Sequence, residues 1–162
     1  MDINNNFTTL SAETRVWIYQ SNRPFSTEEA GVIKSAIADF AQGWVSHNQA
    51  LKTHGDLYHN QFVVLMVDES QAGASGCSID SSVKFIRHLQ QQLGVDFFDR
   101  MTFAWKEGDV VKTAHRSEFA NLYKEGAINE STLVFDNLVT TKGDFEEKWV
   151  KPLGESWHAR MV

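Results

Sequence analysis

At 162 residues, with 42% hydrophobic and 22% charged side chains, the chain has ordinary globular composition and enough length to bury about two thirds of its unfolded surface in one domain. Its 21 acidic against 15 basic residues give a net charge of -6, which repels a phosphate backbone and argues against nucleic-acid binding. No apolar run nears the roughly 20 residues of a membrane span, the start MDINNNFTTL lacks the basic flank and apolar stretch of a secretory leader, and the single Cys77 cannot form an internal disulfide, so a cytoplasmic protein is expected.

Residues 1–14 are polar, Asn-rich and without period, and are expected to be a disordered N-terminus. One α+β domain then covers 15–162. Val16, Trp17, Ile18 and Tyr19 form a β-prone run that stops at the turn before Pro24. Ser26 precedes Glu29 by three residues, the spacing of a capping box, and Ile33, Ile37, Phe40 and Trp44 follow at helical intervals, so a helix is expected to end near Val45. The stretch 50–58 is polar with Gly55 inside it and reads as an edge strand or loop. Residues 62–67 are continuously apolar and of strand length.

Ile79, Val83, Ile86 and Leu93 predict a second helix, with Gly94 placed to end it. Two strands flank Lys-Glu-Gly-Asp, where Gly108 suits a tight hairpin, and Ser117 is the expected cap of a short helix carrying Phe119, Leu122 and Tyr123. A last strand is expected over 132–135. The order over 15–100 and the strand after it is that of a ferredoxin-like βαββαβ core, with a hairpin-helix-strand extension over 101–162. A three-layer α/β sandwich is the alternative.

The turn VDESQAGASGCSIDSS is the candidate ligand site, because it joins a buried strand to a helix start where backbone N–H groups and the positive helix end converge. Gly76 allows close backbone approach, Ser75, Cys77 and Ser78 supply donors, and Asp68, Glu69 and Asp80 supply acidic groups that suit a base or a metal ligand. The plainer reading is a turn whose Ser78 or Asp80 caps the helix. Cys77 stands where a helix terminus favours the thiolate, which makes it the candidate nucleophile; its nearest histidine in sequence, His88, lies about two and a half turns along the helix. The alternative for Cys77 is a buried packing residue.

Weaker constellations are His47, His54 and His59, whose spacing matches no structural zinc pattern, and Trp44, His47 and Asn48, a small patch at a helix end or simply core and cap. Phe98, Asp99 and Arg100 serve a site or pin a corner, with the corner preferred. Trp149, Trp157 and Phe145 read as a packed cover over the core. No metal site is expected, and the residues name no particular cofactor, which stays open.

Through DESQAGASGCSID, FDRMTF, TLVFDNLV and SWHARMV the chain resembles a family of short uncharacterised Bacteroidetes proteins often labelled ABC transporter ATPases. The turn lacks the lysine of the nucleotide P-loop, so ATPase activity is not expected. Residues 103–137, with FAWKEGDVV, SEFANLYKEG and AINESTLVF, resemble the short bacterial form of the GYF peptide-binding domain, although Thr113, Ala114, His115 and Arg116 stand in place of its Gly-Pro pair. The resemblance implies a protein or peptide partner. The expected function is a non-enzymatic protein- or peptide-binding domain; the alternative is small-ligand or anion binding, or cysteine chemistry, at residues 68–82.

Overall fold

The computed structural model describes residues 6–46, 49–50, 52–69 and 76–162. Its centre is strand β5 (Phe62–Asp68), flanked by β1 (Arg15–Gln20) and β4 (Lys52–Tyr58) in an antiparallel sheet of order β1-β5-β4. Every residue of β5 is buried. Because side chains alternate along a strand, Val63, Leu65 and Val67 enter one core while Phe62, Val64 and Met66 enter another.

The first core is covered by two helices, α2 (Thr27–Gly43), the successor of a short N-terminal helix α1 (Asn6–Thr9), and α3 (Gly76–Leu93). Ile33 and Ile37 of α2 and Ile86 and Leu89 of α3 meet the sheet there. The expected capping box is formed: Ser26 Oγ accepts from the Glu29 N–H at 3.2 Å and the Glu29 carboxylate accepts from the Ser26 N–H at 3.0 Å. Arg23 grips the same carboxylate through two guanidinium bonds of 2.9 and 2.8 Å, and with the Ser26 N–H this draws the Glu29 pKa down to about 2. Gly94 ends α3 at φ 64°. A two-strand ribbon, β2 (Val45–Ser46) with β3 (Gln49–Ala50), follows α2.

The second core lies between the first sheet and a second one of order β7-β6-β8-β9: β6 (Thr102–Glu107), β7 (Val110–His115), β8 (Leu133–Phe135) and β9 (Val150–Pro152). Ala104 and Phe135 point into this core with Phe145 and Trp149, the latter two from around helix α5 (Lys142–Lys148). Their neighbours Phe103, Trp105 and Val134 point the other way, into a third core closed by Phe119 of α4 (Arg116–Lys124) and by Ile128 and Leu153. The result is a stack of helices, sheet, second sheet and helix.

The chain is therefore mixed α+β with two principal antiparallel sheets, and the closed ferredoxin-like core is a correction. Three strands follow its order, but the strand expected to complete the sheet, β6, pairs with β7 and β8 instead. The hairpin is local and closes a short loop at small entropic cost, with Gly108 at φ 63°. The edge of β1 is taken by a later segment: the Val16 N–H donates to Thr140 O at 2.9 Å and Arg15 bridges Thr141. Nor is this a three-layer α/β sandwich, since the second sheet, not a helix layer, backs the first.

Of the edge strand or loop expected over 50–58, the edge strand is formed, as β4 over Lys52–Tyr58, and the hairpin after it turns on His59 and Asn60, both with positive φ, a conformation that Asn and His tolerate better than most side chains. Two smaller expectations are corrected. His115, not Ser117, caps α4, its Nδ1 accepting from the Ser117 N–H at 3.3 Å. The described part of the expected disordered N-terminus is packed. Leu10 and Thr14 are buried, the Lys142 ammonium donates to Leu10 O at 2.9 Å, and it lies 4.5 Å from the Phe7 ring centroid.

Gly55 shows why the β4 sequence lacked a clear pattern. A Cβ there would sit 2.6 Å from Ile37 Cγ2 and 3.2 Å from Leu65 Cδ2, so α2 packs on the strand only through a glycine. Gly31, on α2, has open space around the same position. Chemical denaturation should find Gly55→Ala destabilised by about 1–3 kcal/mol, from overpacking, and Gly31→Ala stabilised by roughly 0.5–1 kcal/mol, from helix propensity. Equal effects at the two sites would refute the close-approach account.

Candidate binding cleft

Where β1 ends, the two sheets diverge and leave a cleft of about 420 Å³, within the range of pockets that hold small ligands or a few side chains. It is lined by Ile18 and Tyr19 of β1, by Phe103, Ala104 and Phe135 of the second sheet, and by Phe97, Phe98, Trp157 and Met161. Its rim is unusually apolar for exposed positions: Leu138 is 65% and Phe98 38% accessible.

The loop between α3 and β6 is held by its own side chains. Phe97 N–H donates to Gln90 Oε1 and Phe98 N–H to Asp96 Oδ1, both at 2.8 Å. Asp99 then accepts from the Met101 N–H at 2.8 Å and the Thr102 hydroxyl at 2.6 Å, an Asx-type corner. The Thr102 hydroxyl, followed by the Met101 N–H, holds the Asp99 pKa below its ordinary value. Asp99 thus holds the corner through Met101 and Thr102 and not as half of an Asp-Arg pair. Its neighbour Arg100 is exposed on the cleft wall and makes no ion pair or hydrogen bond among the described residues.

The polar floor is satisfied internally. Gln20 Nε2 donates to Thr102 O at 3.1 Å, Asn137 Nδ2 to Gln20 Oε1 at 2.9 Å, and Trp149 Nε1 to Asn137 Oδ1 at 2.9 Å. Beside it, Asp136 accepts from the Lys151 ammonium at 2.7 Å, the Trp157 indole at 2.8 Å and the Leu138 N–H at 3.0 Å. Burial pushes the Asp136 carboxyl pKa up, but the bonds from Lys151 and Trp157 outweigh it and the net direction is down.

His158 is the most perturbed group of the cleft. It is 1% exposed, its ring stacked 3.7 Å from that of Trp157, and Ser156 Oγ lies 2.6 Å from its Nδ1. Burial lowers its pKa to about 4, with Asp136 opposing and Lys151 reinforcing the shift, so the ring is neutral at pH 7. Its Nε2 has no hydrogen-bond partner among the described residues.

The sequence-predicted site is placed elsewhere. Asp68 is buried, 3.9 Å from Lys52 Nζ, and Glu69 pairs with Arg15 at 3.2 Å. Gly76 opens α3, Asp80 is exposed, and Ser78 is buried with its carbonyl accepting from the Trp44 indole at 2.8 Å. Ser75 and the side chain of Cys77 lie outside the described residues, as do His47 and Asn48. Trp44 belongs to the core. His54 is buried 5.2 Å from the Phe7 ring, while His59 lies over Phe135 and Trp149. No group of three or more His, Cys, Asp or Glu among the described residues could hold a metal ion.

Gln20, Asn137, Leu138 and His158 were not singled out in the sequence. A signal was available, because FDRMTF, TLVFDNLV and SWHARMV each place residues on the cleft wall. No family model, curated protein or solved structure matches the chain. No helix among the described residues is long and apolar enough to cross a membrane.

The histidines set a pH dependence. His158 and His54 both have lowered pKa values, chiefly through burial, so their contribution to stability is complete above the unfolded value of about 6.5 and is lost as pH falls towards the folded one. For His158 the loss between pH 6.5 and about 4 is on the order of 3 kcal/mol. Denaturation midpoints should therefore fall across that window, and His158→Gln should flatten the slope. An unchanged slope in the variant would show that His158 does not titrate this way.

Proposed function

We propose that this chain is a non-enzymatic cytoplasmic binding domain whose cleft between the two sheets receives the apolar anchor of a protein or peptide partner. The observation that carries the reading is the pairing of an aromatic-walled cleft with an exposed apolar rim at Leu138 and Phe98. Apolar surface of this kind is costly to leave in water, and its clustering around a concavity is the mark of an interaction site. Rigid aromatic walls also lose little entropy on contact, which favours binding.

The polar arrangement supports binding over catalysis. Asp99 and Asp136 have their carboxylates engaged by neighbouring donors, and His158 is held neutral against a serine that itself caps the last turn, Ser156 Oγ accepting from the His158 N–H at 3.4 Å. A hairpin, a helix and a strand, β6–β7, α4 and β8, stand in the order that the GYF resemblance implies, and Phe103 of that segment lines the cleft. Peptide recognition by this half of the chain fits that likeness.

Selection from a displayed library of linear peptides, including proline-rich sequences, tests the proposal. Enriched peptides should perturb the backbone amides of Ile18, Phe98 and Leu138, and Leu138→Asp should weaken them at least about ten-fold. Val32→Asp, at an equally exposed apolar position on α2, should leave binding unchanged. Peptides that bind equally well to both variants, or shift residues away from the cleft, would overturn the proposal.

A further inference from the structure

We infer that the cleft reads a free carboxylate, the C-terminus of a partner chain ending in an apolar or aromatic residue, with Arg100 and His158 as the two groups that recognise it. The inference rests on the cleft being a peptide site and adds the chemistry of the occupant. It follows from accounting for each polar group of the lining. Gln20 and Asn137 bond each other, Thr102 gives its hydroxyl to Asp99 and its carbonyl accepts from Gln20, and the Asp99 carboxylate is taken up by two donors. The Tyr19 hydroxyl is engaged with Ser82. What remains uncommitted is the Arg100 guanidinium and His158 Nε2.

Both remaining groups can donate a hydrogen bond. Arg100 is a fixed cation with five N–H groups and no acceptor capacity. For His158, the Ser156 hydroxyl lies 2.6 Å from Nδ1, and a carboxylate at Nε2 selects the tautomer in which that hydroxyl donates to Nδ1 and Nε2 carries the proton. A lining whose uncommitted side-chain groups are a guanidinium and an imidazole nitrogen able to donate is complementary to an anionic acceptor. A carboxylate accepts from both and forms charge-assisted bonds with the guanidinium. The apolar walls of Ile18, Phe98 and Phe103 then take the terminal side chain. An internal peptide segment without an acidic side chain would offer only neutral carbonyls and leave the guanidinium without a counter-charge.

The experiment compares three peptides of one composition on the full chain: an apolar residue at a free C-terminus, the same peptide amidated, and one with that residue moved inward. Affinities are read from amide shifts, with 3-phenylpropanoate as a small-acid probe. The free acid should bind about ten-fold tighter than the amide or the internal isomer, and Arg100→Gln, at an exposed position, should abolish that difference. The Nε2 resonance of His158 should move with the acid only. Equal binding of acid and amide at the cleft would overturn the carboxylate inference and leave the peptide site standing. No shift of cleft residues by any of the three would remove both. If 3-phenylpropanoate binds as tightly as the peptide acid, the occupant is a small acid and the assignment to a chain terminus fails.

Discussion

The burial of β5 on both faces is the constraint from which the other parts follow. Six consecutive apolar residues, Phe62, Val63, Val64, Leu65, Met66 and Val67, have no accessible surface, and burying each large side chain contributes roughly 1.5–3 kcal/mol relative to exposure. A half-buried sheet would leave Phe62, Val64 and Met66 in water. Two helices can cover one face, and the chain meets the other with a second sheet, using small Ala104 opposite the strand and bulky Phe135 and Trp149 around Phe62. The second sheet in turn has an outer face, and α4 with the terminal turns covers that.

Two sheets stacked through apolar contact alone could slide relative to one another. The thread from Trp149 through Asn137 and Gln20 to Thr102 fixes their register, since it ties β1 to the start of β6 and to the end of α5 by directional bonds. Asp136 adds a partly buried ion pair with Lys151. Such a pair contributes little net stability once desolvation is counted, but removing one partner leaves a buried charge that is costly, so the arrangement specifies geometry more than it adds free energy. The cleft lies beside this thread, and its walls inherit the rigidity of both sheets.

The cleft is therefore a property of the junction. The edge of β1 that a closing strand would have filled carries only a short segment at residues 140–141 near its start, and the other end of β1, at Tyr19 and Gln20, faces open space walled by aromatic rings. The same displacement that takes β6 out of the first sheet creates the concavity. His158 and Arg100 join Gln20, Asp99, Thr102 and Asn137 as polar side chains of its lining.

The sequence by itself determined the local elements. The capping spacing of Ser26 and Glu29, the apolar run at 62–67, and Gly94, Gly108 and Gly126 at positive φ act within a few residues, so their signals are readable along the chain. It also marked Asp99 as a corner residue and Trp149 as core. What only the tertiary structure decided is which strand pairs with which, and hence where the cleft is. Nothing in the run 102–107 states that it prefers β7 and β8 to β1, because that preference is a balance of loop closure and of whole faces buried at once. Gly55 looked like a break in a pattern until Ile37 was placed against it. Gln20, Asn137 and His158 are separated by more than a hundred positions from one end to the other, and their meeting is a consequence of packing that no local periodicity records.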